Sequence, residues 1–388
     1  MDRGVLQPAA YESSWLSDDV RLYRDSVRDF VAAELVPHQA RWRAQHGPEL
    51  EAWKKAGQAG LLLVDVPEDY GGGGGTFAHE AVVLDELARN CVYFGTQVHT
   101  TVAHYLVAFA TEEQKRRWLP QMARGELLGA IAMTEPHAGS DLQAIKTSAR
   151  RDGEHYVING AKTFITNGAR AGLVIVAAKT NPKVIGMRGT SLIVLETAGL
   201  PGYRTGRPLE KLGMQGQATV EMFFDEVRVP AANLLGGVEG RGFAQMMEQL
   251  PYERLQIAVG AVAMAEEAVA ITARYVKERN AFGKPLFDLQ NTRFKLAECR
   301  TRAQVGRVFL DSCIERLLAG RLDETSTAMA KYWLTESQNQ IVDECLQLHG
   351  GYGYMTEYPI ARMWADARVQ RIYAGSNEIM KELIAWSL

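Results

Sequence analysis

From Asp18 to about Leu128, apolar residues recur every three to four positions, as in Val20, Leu22, Tyr23, Val27, Phe30, Val31 and Leu35, with Ala, Glu and Arg between them. That spacing draws an apolar stripe along a helix, so the first third of the chain is predicted to be helical. The run Gly71–Gly75 interrupts it. No strand precedes the run and no Gly-Lys-Ser/Thr pattern follows, so it reads as a flexible connecting loop and not as a phosphate cradle. Near Ala130 the period changes to that of strands. In "HYVINGAKTFIT", Asn159-Gly160 stands between two β-rich runs, which predicts a hairpin turn there. "GLVIVAA", "TSLIVLE" and "TVEMFFDEVRVP" continue the pattern between Gly, Pro and Asn. After Gly242 the helical period returns in long stretches, Phe243–Arg279, Leu289–Ala319 and Ser326–Leu348, followed by a shorter pair from Pro359 to the end. Helices of that length joined by short loops pack as an antiparallel bundle. The expectation is an α+β protein with an N-terminal α-helical domain (1–128), a middle β-barrel domain (129–241) and a C-terminal four-helix-bundle-like domain (242–388).

The chain has 388 residues, more than one hydrophobic core usually serves, which agrees with several domains. With 47% hydrophobic and 23% charged residues it has the composition of an ordinary globular protein. A formal charge of -3 gives no general attraction to nucleic acid or to an anionic membrane. Cys91, Cys299, Cys313 and Cys345 stand far apart without Cys-x-x-Cys or Cys/His ligand spacing, which argues against a disulfide framework and against a metal site. The first residues carry acids and no apolar h-region, and no apolar run approaches the roughly 18 residues of a membrane span. The expected compartment is a reducing one, the cytoplasm by default, with an organellar matrix as the alternative.

Five strings in this order, "MTEPHAGSDL" (133–142), "GAKTFITNG" (160–168), "RNAFGKPL" (279–286), "LHGGYGY" (348–354) and the closing "RIYAGSNEIMKELI", resemble the acyl-CoA dehydrogenase family over essentially the whole chain. The likeness is greatest to its long-chain members, including "LPYERLQIA" (250–258). In the first string, Thr134 and Ser140 offer hydroxyls, and Ala138-Gly139 lets backbone amides come close to a ligand. His137 replaces a glycine common in relatives. The resemblance implies FAD as cofactor, with Ile131, Met133, Thr134, Gly139 and Ser140 along its polar edge, Phe164 beside the isoalloxazine ring and the Thr166 hydroxyl near flavin N5. It also implies that Arg279, Phe282, Gln290, Gln347, Gly350 and Gly351 reach a neighbouring subunit's FAD, and that Ser376 and Glu378 touch the cofactor. A guanidinium such as that of Arg279 suits a pyrophosphate through paired hydrogen bonds. A homotetramer arranged as a dimer of dimers follows as an expectation.

The implied reaction is α,β-dehydrogenation of an acyl-CoA thioester to the trans-2-enoyl-CoA, with electrons passed to an electron-transferring flavoprotein. A thioester α-proton is too weakly acidic for a carboxylate in water, so the signature to seek is a carboxylate in an apolar pocket beside donors for the enolate oxygen. Most relatives carry that glutamate where this chain has Ala374. Glu378 is the nearest acid, at a position that the family uses on the cofactor side. Glu253 is the other candidate, followed by Leu255, Ile257, Ala258, Ala261 and Val262, which could wall an acyl cavity. The long-chain and isovaleryl enzymes place their glutamate here, with a small residue at the position of Ala374. The expected base is therefore Glu253. The backbone N–H of Ala374 is expected to help hold the thioester oxygen, and Ser140, Tyr252, Arg254, Tyr373 and Gly375 to bind substrate.

Two alternatives stand beside this reading. An acyl-CoA oxidase-like flavoenzyme would react quickly with oxygen, but such enzymes usually carry a further C-terminal domain. A catalytically degenerate subunit of a hetero-oligomeric dehydrogenase would lack FAD, whereas the cofactor strings here are intact.

Overall fold

The computed structural model describes residues 11–181, 183–184 and 187–388. Six helices come first: α1 (Asp18–Phe30), α2 (Gln39–Ala44), α3 (Leu50–Gln58), α4 (Phe77–Arg89), α5 (Thr96–Phe109) and α6 (Glu112–Ala123). Seven strands follow: β1 (Gly129–Ala132), β2 (Ser148–Asp152), β3 (His155–Thr166), β4 (Leu173–Lys179), β5 (Thr190–Glu196), β6 (Tyr203–Thr205) and β7 (Thr219–Pro230). Then come α7 (Gly242–Glu278), a short ribbon of β8 (Asn280–Ala281) and β9 (Lys284–Pro285), and α8 (Gln290–Leu318), α9 (Glu324–His349), α10 (Pro359–Ala367) and α11 (Asn377–Ala385). The α+β expectation holds, and the long helices begin and end within two residues of where their apolar period does.

The sheet runs β1-β4-β2-β3-β7-β6, with β5 on β4, and among the described residues no pairing joins β6 to β1 or β5, so it is a half-barrel. The run "GLVIVAA" is apolar without alternation because both faces of β4 are covered. Leu173, Ile175 and Ala177 face the core shared with the N-terminal helices. Val174, Val176 and Ala178 face a second core with Tyr156, Ile158, Val220 and Val229 of β3 and β7.

The predicted hairpin at Asn159-Gly160 is corrected: β3 runs straight through it. Asn159 is tied across to β7, its Nδ2 donating to Glu226 Oε1 at 2.6 Å and its Oδ1 accepting from the Glu226 N–H at 2.9 Å. Gly160, at φ +148°, sits where the β3–β7 register shifts, and a Cβ there would lie 2.5 Å from Thr147 Oγ1. This is a bulge, not a turn. The turn lies at Gly153-Glu154, where Asp152 pairs with His155 and Gly153 takes φ +59°.

The Gly71–Gly75 run is not the flexible loop expected. The Gly73, Gly74 and Gly75 N–H groups bond to the Leu63, Val66 and Val64 carbonyls at 3.1, 2.9 and 2.8 Å. A Cβ at Gly72 would lie 2.2 Å from the Val66 carbonyl oxygen. Here glycine is required by close backbone approach.

Helix α7 has 37 residues and, against expectation, is apolar and long enough by composition to cross a membrane. Its apolar positions are instead buried, Leu255, Ala258, Val259 and Val262 packing with α4, α8 and α9. A charged knot fixes the same junction. Arg307 of α8 reaches Asp85 of α4 at 2.7 Å and Glu266 of α7 at 2.8 Å, and Arg89 bonds the same two carboxylates.

Candidate active site

A cavity of about 750 Å³ lies where α4, α5, the sheet, α7 and α11 meet. Leu84, Leu87 and Ala88 of its lining are buried, while Ser140, Gln143, Glu382 and Trp386 are exposed, so the cavity opens to solvent beside the latter. Of the expected residues it gathers Glu253, Arg254, Ile131, Met133, Thr134, Gly139, Ser140, Phe164, Thr166, Tyr373, Ala374 and Gly375.

Glu253 sits on the wall formed by α7, and the part of it left uncovered opens into the cavity. Tyr105 of α5 donates to its Oε1 at 3.1 Å. Burial pushes the Glu253 carboxyl up to about 7, opposed by the Tyr105 hydrogen bond and by Arg254 and His104. Desolvation dominates because the charged form has few partners to replace water. Arg254 is 3% exposed, its guanidinium 3.4 Å from Glu324.

Tyr252, expected to bind substrate, does not line the cavity. Its hydroxyl is spent on Asp65 at 2.6 Å and its ring stacks on His104 at 4.0 Å, so it packs behind Glu253.

The Ala374 turn is held by a lysine that sequence reasoning missed. Ala374 and Gly375 have φ of +52° and +88°, and Lys331 of α9 donates to the Gly375 carbonyl at 2.7 Å and to Asn377 Oδ1 at 2.9 Å. Lys331 is fully buried. A single lysine in the apolar run "STAMAKYW" was the signal that could have found it, since buried lysines occur only with partners.

On the sheet side, Glu135 is buried against Lys162 at 2.8 Å and accepts from the Lys146 and Thr147 N–H groups at 2.6 and 3.0 Å, which fixes the loop after β1. His137 stands 3.4 Å from Glu135 without a left-handed backbone, so it fills the glycine position without strain. Phe164, at φ +59°, presents a ring that is 67% exposed. Thr134, Ser140 and Thr166 line the same wall, and their hydroxyls make no hydrogen bond with any described residue. A Cβ at Gly139 would meet only the Thr134 methyl, at 3.9 Å. An open aromatic face, free hydroxyls and an uncrowded backbone fit a flavin.

Other expected residues lie elsewhere. Arg279, Gln347, Gly350 and Gly351 line a separate open groove at the end of α9, where the Arg279 guanidinium lies 5.4 Å from the Tyr352 ring centre. Phe282, in the turn of the β8–β9 ribbon, is 91% exposed, and Gln290 is exposed at the start of α8. Ser376 caps α11 by accepting from the Ile379 N–H, and Glu378 is exposed outside the cavity.

Three family models match in sequence: the acyl-CoA dehydrogenase N-terminal domain over 17–126, the middle domain over 130–227 and the C-terminal domain over 240–388. The chain is 47% identical to the mitochondrial long-chain specific acyl-CoA dehydrogenase of Mus musculus, covering 95% of this chain and 86% of that one. It is 35% identical to the mitochondrial isovaleryl-CoA dehydrogenase of Solanum tuberosum, covering 98% and 93%. The crystal structure of an acyl-CoA dehydrogenase from Geobacillus kaustophilus superposes with a TM-score of 0.94 at 44% identity, covering 97% of this chain and 99% of that one. Helices, half-barrel and helical bundle thus follow one another as in those relatives, and the chain belongs to the acyl-CoA dehydrogenase family of flavoenzymes.

Proposed function

We propose that this enzyme oxidises a fatty or branched acyl-CoA to the trans-2-enoyl-CoA, with Glu253 as the base. The observation that carries the reading is a buried carboxyl, raised to about 7, on the wall of a largely apolar cavity that the Ala374 turn also lines. Glu253 takes the α-proton. The Ala374 N–H holds the thioester oxygen as charge develops there, a task that needs only the backbone. Arg254 supports the substrate side of Glu253, and the apolar walls exclude water, which strengthens both interactions. When bound, the flavin supplies the acceptor for the β-hydride.

FAD is the proposed form of the flavin. Ile131, Met133, Thr134, Gly139, Ser140, Phe164 and Thr166 would hold its ring side. The second groove and Phe282 would serve the FAD of a neighbouring subunit in a homotetramer, which their place outside the lining of this cavity supports. The proposed acceptor is an electron-transferring flavoprotein. Four free, buried thiols support a reducing compartment, the cytoplasm. Likeness to long-chain specific and isovaleryl enzymes supports an acyl chain that is long or branched.

Anaerobic flavin bleaching by a series of acyl-CoAs tests the reading. Glu253→Gln is expected to keep its flavin spectrum and to lose about 10³-fold or more in bleaching rate. A variant that bleaches at nearly the wild-type rate would overturn the assignment.

A further inference from the structure

Beyond Glu253 the cavity is not uniformly apolar. Helices α5 and α7 run against each other in a register given by two contacts. Tyr105 lies opposite Glu253 at 3.1 Å, and Thr101 donates to Gln256 Oε1 at 3.3 Å. One further step, back along α5 and forward along α7, sets Gln97 opposite Gly260, and both line the cavity. At 1.5 Å of rise per residue, Gln256 and Gly260 stand about 4.5 and about 10 Å along the axis from Glu253.

Three observations set this stretch apart. Gln256 is 1% exposed and its amide is fixed, Nε2 donating to Glu80 Oε1 at 3.0 Å while Oε1 accepts from Thr101. That leaves one amide hydrogen of Gln256 and a lone pair of Thr101 uncommitted. The Gln97 side chain makes no hydrogen bond to any described residue, yet Gln97 lines the cavity. At Gly260 an added Cβ would meet only the Ala88 Cβ, at 3.7 Å. A glycine inside a helix costs roughly 1 kcal/mol relative to alanine, and what it leaves here is room.

A plain hydrocarbon chain would cover these groups and strip their water without replacing the lost hydrogen bonds. Specific pockets place a few polar groups on apolar walls to fix a ligand's own polar atoms. We propose that the acyl cavity selects chains carrying an oxygen function, a hydroxyl or keto group, one to two helical turns beyond the reacting carbons, held by Gln97 and the Thr101–Gln256 pair. The proposal rests on the acyl-CoA dehydrogenase reading given above.

The test compares saturated straight-chain acyl-CoAs with the same chains bearing one hydroxyl, stepped from the γ-carbon to the terminus. Wild-type holoenzyme is expected to prefer the best-placed hydroxyl chain by about tenfold in kcat/KM, equivalent to ~1.4 kcal/mol. Gln97→Leu, which breaks no hydrogen bond of the fold, is expected to bring that ratio towards one. Dissociation constants read from the flavin spectrum of oxidised wild type should show the same preference independently of any variant. If plain chains are preferred at every hydroxyl position, or if Gln97→Leu leaves the ratio unchanged, the proposal is overturned while the dehydrogenase reading stands. If neither series bleaches the flavin, both are overturned.

Discussion

The Tyr105 hydroxyl donates to Glu253 Oε1 at 3.1 Å across 148 positions of sequence. This bond favours the ionised carboxylate and so opposes the burial that raises it. Tyr105→Phe should therefore raise the Glu253 pKa further, by roughly half a unit to one unit if the bond is worth about 1 kcal/mol. Because the base must be ionised to act, the acid limb of the rate profile should move to higher pH. The rate should fall a few-fold at neutral pH and recover in alkaline solution. A loss that is equal at all pH values would mean that the hydroxyl only supports packing.

Lys331 pins the left-handed Ala374–Gly375 turn through the Gly375 carbonyl. Lys331→Met would leave that carbonyl without its donor and Asn377 Oδ1 with only the longer bond from the Thr335 hydroxyl at 3.3 Å, and a buried unsatisfied acceptor costs roughly 1–3 kcal/mol. Thermal stability should fall accordingly. The discriminating readout is kinetic. If the turn aims the Ala374 N–H at the developing charge, kcat should drop about tenfold or more while KM moves less. Lower stability with unchanged kcat would reduce Lys331 to a structural role.

His99 links three elements: its Nε2 lies 3.0 Å from the Met122 carbonyl, and its Nδ1 accepts from the Gly129 N–H at 3.1 Å. Both bonds are met by the neutral ring, and burial pushes the group down to about 4. The unfolded chain, with a histidine near 6.5, binds more protons between those values. Its stabilising contribution is thus fully present above about pH 6.5 and is lost as the pH falls towards 4, by about 3 kcal/mol. Denaturant unfolding at stepped pH, compared with His99→Gln, should show the wild type losing this increment while the variant's curve is flatter over that interval.

Periodicity made the long helices legible because each buries a continuous stripe; α7 through α9 could be drawn from Val, Leu and Ala spacing alone. The hairpin was misplaced because Asn-Gly and Asp-Gly are chemically similar turn signals, and only strand pairing decides between Asn159-Gly160 and Asp152-Gly153. Glycine's two uses, freedom and close approach, look the same in sequence, which hid the packed state of Gly71–Gly75. Glu253 could be singled out only by way of the family resemblance, which pairs a glutamate there with a small residue at the position of Ala374. A lone lysine in the apolar run around it marks Lys331, whereas Tyr105 and Gln97 carry no such signal and acquire their roles only when another helix is laid against them.

The knot of Arg307, Asp85, Glu266 and Arg89 has a consequence for how the chain assembles. Asp85 and Arg89 are one helical turn apart on α4, and Glu266 and Arg307 pair within the bundle. Each half carries one positive and one negative charge before the halves meet. The N-terminal helices can therefore dock onto the bundle as a neutral surface, exchanging partners on contact, and no bare ion has to leave water on the way to the folded state.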